Sequence, residues 1–234
     1  HHVALGTVAD VAPLIGLNRA LVAKGLIALR RRDHVGHTAL MDVARLSGPP
    51  EAWHLGFMLG PRINAGGRIG RADLGVRLLL EGDVSQAAAI AAELDRLNQE
   101  RRVIEQAAEA QAEAEALAAL GIEDKAAVIV TAQDGWHPGV VGLVAARLKE
   151  KFGRPAFAIA WGPGEGGLGS GSGRSIPGVD LGRAVRQAVA DGVLVKGGGH
   201  AMAAGVTLRR AQLPEFRASI EKALAESVAV ARQA

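Results

Sequence analysis

The sequence contains no cysteine. That excludes a disulfide framework and a thiolate metal site, so any metal must be held by Asp, Glu, His or water, the donor set of a hard cation. It also fits a reducing, cytoplasmic setting. Missing too is any uninterrupted apolar stretch of the ~18 residues that a membrane span needs, and the start lacks the charged-then-apolar layout of a signal peptide. The expectation is a soluble protein with no membrane partner. Excess charge is scarce: 27 Lys and Arg against 24 Asp and Glu leave a formal charge of +3. That balance tolerates a polyanionic partner without demanding one.

What is present is apolar: 49% of 234 residues, enough for one large core or two modest ones, since domains commonly run ~100–200 residues. From residue 3 to about 80 the apolar pattern is helical. Asn18 is a cap candidate before Leu21, Val22, Leu26 and Leu29, and Thr38 opens a second short helix that Gly48-Pro49-Pro50 ends. Asp83 and Gln86 have the spacing of a capping box, and an Ala, Glu and Gln-rich run follows as far as Leu120, where Gly121 stops it. This predicts one long helix with Ile90, Leu94, Leu97, Ile104 and Ala108 along its apolar seam. At ~1.5 Å per residue it spans ~50 Å and connects two domains.

After Gly121 apolar runs alternate with glycine-rich loops. Strands are expected at 127–130, 156–161 and 203–208, and helices at 139–151, 179–190 and 214–230, which together make an α/β unit.

Several constellations could carry chemistry. Residues 164–169 match a dinucleotide fingerprint in form, but residues 170–177 intervene before any helix, so that reading fails. The continuation Gly169-Ser170-Gly171-Ser172-Gly173-Arg174-Ser175 has the outline of a phosphate cradle, in which glycines let backbone N–H groups converge while hydroxyls and a guanidinium add donors. Its bland alternative is a flexible surface loop. A second cluster, residues 196–205, sets His200 beside Gly198 and Gly199, small enough for a ligand to approach, although a lone His is as often structural. Trp136-His137-Pro138-Gly139 lies between a strand and a helix, where anions bind; Trp136 reads as core and His137 as the candidate. Residues 61–71 hold Arg62, Asn64, Arg68 and Arg71 among small residues, suited to phosphate contacts or to simple solvation. Asp10 puts a carboxylate in an apolar stretch, which calls for a partner or a metal, the alternative being a helix N-cap. His1 and His2 read as a purification-tag remnant.

Taken in order, residues 5–14, Asn18-Arg19, residues 60–68, residues 97–101, residues 136–142, residues 171–175 and residues 198–205 resemble the RecJ family of bacterial single-strand DNA exonucleases, within the DHH/DHHA1 phosphoesterase superfamily. Seven motifs with matching order and spacing cover nearly the whole chain. The resemblance implies an α/β architecture in three parts: the mostly helical C-terminal part of a DHH domain (1–82), a connector helix (83–120) and an α/β DHHA1 domain (121–234). It implies 5′-to-3′ hydrolysis of single-stranded DNA in repair and recombination, by in-line attack of a water activated by two Mn²⁺ or Mg²⁺ ions.

By the same resemblance Asp10 is a catalytic metal ligand, and Arg62, Asn64 and Arg68 lie near the DNA end. Ser172, Gly173, Arg174 and Ser175 belong to a 5′-phosphate pocket; His137, Gly198, Gly199 and His200 contact the strand. The partners implied are single-stranded DNA with a 5′ end, a single-strand-binding protein and a helicase. The family's earlier aspartate and Asp-His-His motifs have no counterpart here, and Asp10 alone cannot hold two ions. The chain is therefore expected to be an inactive fragment of such an enzyme. Two alternatives remain open: a related phosphodiesterase acting on nanoRNA, nucleotide bisphosphate or cyclic dinucleotide, and a nonenzymatic DNA-binding module built around Arg30-Arg31-Arg32.

Overall fold

Apolar residues spaced three and four apart in the first hundred positions close on one another as helices. The computed structural model describes residues 1–121, 126–164 and 167–233. Two compact units, His1–Arg102 and Val103–Ala234, divide inside one long helix. The first comprises α1 (His2–Ala9), α2 (Gly16–Arg30), α3 (Val35–Val43), the short α4 (Ala52–His54), a π-helical segment (Leu55–Leu59), α5 (Gly60–Ile69), α6 (Leu74–Leu80) and the start of α7 (Val84–Leu120). Leu5, Val22, Leu29, Leu40, Leu55, Leu59, Leu78 and Leu94 are buried in its core.

Two expected helix starts are corrected. Asn18 does not cap α2: Ile15 holds the N-cap position, and the Asn18 amide donates to the Pro13 carbonyl at 3.1 Å. α3 starts at Val35, because the His34 imidazole takes the capping role by accepting from the His37 amide; Thr38 lies inside the helix and donates to the Arg32 carbonyl. At α7 the Asp83 cap forms without the reciprocal Gln86 contact of a capping box, because the Asp83 amide donates to Glu81 Oε1 at 3.0 Å. Asp83 Oδ1 accepts from the Gln86 amide at 2.8 Å, and at the other end Gly121 takes the left-handed conformation, φ +58°, that ends a helix without strain.

The second unit is built on a five-stranded mixed sheet, in order β1-β2-β3-β5-β4. Its elements are β1 (Ile129–Asp134), α8 (Val141–Phe152), β2 (Ala156–Trp161), β3 (Leu168–Arg174), α9 (Leu181–Ala190), β4 (Lys196–His200), β5 (Ala203–Arg209) and α10 (Leu213–Ala231). β1 and β2 run parallel, and every other pairing is antiparallel. Phe157, Ile159, Trp161, Val206 and Leu208 bury one face against Leu181, Val185, Phe216, Ile220 and Leu224 of α9 and α10. α8 packs on β2 and β3. β1 starts two residues later than expected, because the Ala127 and Val128 amides donate to the Glu221 carboxylate instead of to a strand.

β3 and β4 correct the sequence reading, which took both stretches for loops. Glycine inside a strand is entropically unfavourable, yet in β3 it alternates strictly with larger residues. Gly169, Gly171 and Gly173 fall on the buried face, where a Cβ would stand 2.4 Å from the Trp161 ring, 2.7 Å from Ile159 and 2.4 Å from the Phe157 ring. Large side chains on β2 fill the room that β3 leaves. Of the rejected dinucleotide fingerprint, Glu165 and Gly166 lie outside the described residues.

Candidate nucleic-acid interface

Because strand side chains alternate in direction, the glycines that bury one face of β3 send Ser170, Ser172 and Arg174 to the other. The registers extend this face in three rows. Arg174 pairs with Ala203, which pairs with His200; Ser172 pairs with Gly205, which pairs with Gly198; and Ser170 pairs with Thr207, which pairs with Lys196. Arg174 and His200 are two strands apart, about 10 Å at ~4.8 Å per strand. Ser170, Gly205, Lys196 and His200 are exposed, while Ser172, Arg174, Gly198 and Thr207 are half-buried. The result is a glycine floor between cationic and hydroxyl groups, a surface on which a phosphate backbone can lie close to the chain.

Arg174 is held in place. Its Nη1 donates to Ser172 Oγ at 2.6 Å and to the Gly173 carbonyl at 2.9 Å. α8 approaches it at Gly142, where a Cβ would stand 2.8 Å from Arg174 Nη2 and 3.3 Å from Ser172 Oγ. Partial burial lowers the Arg174 pKa from its ordinary value, but a guanidinium remains charged. A half-desolvated, oriented cation binds an anion more strongly than a mobile surface one.

His200 ends β4, and its Nδ1 accepts from the Met202 amide at 3.3 Å. Gly199 beside it has φ +151°, and a Cβ there would lie 2.2 Å from the Ala203 carbonyl oxygen, so only glycine fits this turn. Arg186 of α9 donates to the Gly199 carbonyl at 3.0 Å and braces the same turn. His137 stands before α8 with its Nδ1 accepting from the Gly139 amide at 3.0 Å. Trp136 is buried and donates to Gln111 at 2.7 Å.

Other candidates sit elsewhere. Ser175 is 1% exposed and its hydroxyl donates to the Val179 carbonyl, while Gly173 faces the core; neither opens onto the sheet face. In the helical unit Arg62, Asn64 and Arg68 of the arginine-rich stretch lie on α5, and Arg71 follows it. Arg62 is engaged internally, donating to Asp95 at 2.8 Å and to the Met58 carbonyl at 2.6 Å. Asn64 is exposed one turn before the half-buried Arg68, so the two share a helix face.

Asp10 caps the C-terminus of α1 and is exposed, so neither the helix N-cap nor the buried carboxylate describes it. Among the described residues the one grouping of three or more His, Asp or Glu close enough to share a metal is His1, His2 and His37. Asp10 is outside it. The residues present do not fit a two-ion carboxylate centre.

The DHHA1 domain family matches residues 124–226, the sheet unit. Over 222 residues the chain is 44% identical to the single-stranded-DNA-specific exonuclease RecJ of Dickeya dadantii, covering 92% of this chain and 38% of that protein. The chain is a RecJ homologue. It is also 39% identical to Bacillus subtilis RecJ, with 94% of this chain and 27% of that protein covered. Among solved structures it resembles the RecJ of Thermus thermophilus in complex with Mg²⁺, with a TM-score of 0.81 and 37% identity over 94% of this chain and 33% of that one. A RecJ bound to manganese matches with a TM-score of 0.76 and 37% identity, over 94% of this chain and 52% of that one. The chain thus spans about two fifths or less of the length of these curated relatives. Among the described residues no helix is long and apolar enough to cross a membrane.

Reading the sequence alone committed Arg174, Ser172 and His200 to the site but not Ser170, which it had only within the cradle stretch, Thr207, Lys196 or Arg186. The first three of these carried a usable signal: Gly-Ser-Gly-Ser-Gly-Arg has the period of two that marks a strand, and its polar partners on β4 and β5 follow from pairing. Arg186 had none, since it reaches Gly199 only through the packing of α9 on β4.

Proposed function

We propose that this chain is part of a RecJ-type exonuclease that degrades single-stranded DNA from its 5′ end, and that the open sheet face grips the phosphates of the strand. The observation that carries this is the row of Arg174 and His200 across the sheet, with Ser172 holding the guanidinium and Lys196 extending the cationic edge. Phosphate contacts of this kind position a strand without reading its bases, as a nuclease of general sequence range requires. The helical unit is read as the later part of a DHH domain, with Asn64 and Arg68 as further backbone contacts.

The RecJ structures that the chain resembles hold Mg²⁺ or Mn²⁺, and hydrolysis in the whole protein is assigned to such ions. Asp10 alone does not fit two of them, so this chain's own residues bind and orient and do not by themselves cleave. The test is fluorescence anisotropy with labelled single-stranded and duplex DNA at two salt concentrations, beside a nuclease assay with Mn²⁺ or Mg²⁺. The chain should prefer the single strand, and Lys196→Ala should weaken binding and lower the salt slope by about one. It should release no nucleotides. Equal binding to duplex, tighter binding of a short RNA or cyclic dinucleotide, or metal-dependent digestion by the pure chain would each count against this reading.

A further inference from the structure

Glycine within a strand costs stability unless something requires it, and most glycines of this sheet are accounted for by the fold. Those of β3 make room for Trp161, Ile159 and Phe157; a Cβ on Gly197 would stand 2.7 Å from Val185, and Gly199 holds φ +151°. Gly198 and Gly205 have no such reason. They pair with each other across β4 and β5, neither has a positive φ, and a Cβ on either would meet nothing within 4 Å. Glycine in a strand that packing does not demand marks a place where a ligand comes close to the backbone.

The pair lies in the middle one of the rows on the open face, beside Ser172. The row at one end holds Arg174 and His200, and the row at the other holds Ser170, Thr207 and Lys196. Successive rows are two residues apart, ~6.8 Å at ~3.4 Å per residue, which is also the step between phosphates along an extended single strand. The end rows are therefore ~14 Å apart, the span of three consecutive phosphates. No acidic side chain stands in any of these rows, and Arg209, the next residue of β5 on this face, is exposed. Cations at both ends, with a floor lacking side chains between them, match a polyanion in charge and in shape.

We propose that the face seats three consecutive phosphates of a single DNA strand: the terminal 5′-phosphate between Arg174 and His200, the second over Gly198 and Gly205, and the third at Lys196 and Thr207. The proposal rests on the reading of this face as a phosphate-binding surface, and it adds a register and a minimum length. A mononucleotide or dinucleotide ends before Lys196 and forgoes that contact, so the face selects oligonucleotides of three or more residues. A methyl group on either glycine would lift the strand off the floor and loosen its hold at both ends, without disturbing the sheet.

5′-Phosphorylated thymidine dimers and hexamers are compared by competition against a labelled strand. Lys196→Ala should weaken the hexamer severalfold and leave the dimer unchanged. A neutral methylphosphonate at the third phosphate of the hexamer should cost as much as Lys196→Ala, and the two changes together no more than either alone; one at the fifth phosphate should add to Lys196→Ala. Gly205→Ala and Gly198→Ala should each weaken the hexamer severalfold with the melting temperature unchanged or raised, because Ala restricts the unfolded chain more than Gly does. The register falls, while the surface stands, if Arg174→Ala weakens the strand but Lys196→Ala costs the dimer as much as the hexamer or couples to a phosphate other than the third. It falls likewise if Gly205→Ala binds as the wild type does, or melts lower, since the fold would then need that glycine. No binding of the single strand, or no loss with Arg174→Ala, removes the surface and the register with it.

Discussion

Replacing Arg174 with Ala removes the one half-buried guanidinium on the sheet face, and the structure sets what should be lost. Nη1 is committed to Ser172 Oγ and the Gly173 carbonyl, which leaves Nε and Nη2 as the fork for a phosphate. A hydrogen bond to a charged group contributes ~1.5–3 kcal/mol, so binding of a 5′-phosphorylated strand should fall about 10–150-fold. A strand with a 5′-hydroxyl lacks the dianion and should lose much less. Arg174→Lys keeps the charge but not the fork and should recover only part of the loss. The assay is anisotropy on both strands at two salt concentrations, with circular dichroism to verify folding. Equal losses on the two strands, accompanied by a flatter salt dependence, would refute end recognition and make Arg174 an ordinary backbone contact.

Three further outcomes test the structure. Gly173→Ala forces a Cβ to within 2.4 Å of the Phe157 ring and 2.8 Å of Leu181, so the sheet unit should lose about 1–3 kcal/mol in urea unfolding; an unchanged midpoint would contradict the packing of β3. His37 has its pKa lowered to about 3 by burial, then by His34, His2 and the terminal amine. A depressed histidine is neutral when folded, so its stabilisation is full above pH ~6.5 and is lost as pH falls towards 3, about 2 kcal/mol by pH 5. The helical unit should melt lower at pH 5 than at pH 7, and His37→Asn should flatten that difference. Arg62→Met leaves Asp95 without the ion pair of 2.8 Å between half-buried side chains, so it should lower the melting temperature more than Asn64→Ala, an exposed change; equal effects would mean that Arg62 is not the brace between α5 and α7.

Much of the candidate site was legible in the residues because the chemistry of a phosphate contact leaves a local mark. Arg174 among glycines and serines, and His200 among glycines, stood out without any fold. The role of the glycines did not. As a string, Gly169 to Gly173 satisfies equally well a loop that cradles an anion and a strand that makes room for aromatics, since both need a residue without a Cβ. Only the neighbours Trp161 and Phe157, contributed by β2, separate the two. Arg62 shows the converse: a cation that reads as a phosphate ligand until Asp95, 33 positions later, is seen beside it.

The sequence by itself determined the helical first part, the long α7 with its Asp83 cap and Gly121 stop, and the α/β second part, because periodicity, caps and breakers act over a few residues of contiguous chain. Which residues share a face was decided by the tertiary structure alone. Pairing β3 with β5 and β5 with β4 brings Arg174 and His200 into one row, and folding α1 beside α3 brings four histidines into contact. Such meetings depend on register and helix packing between distant segments, which are set by the summed burial of the whole core and leave no mark at the positions they join.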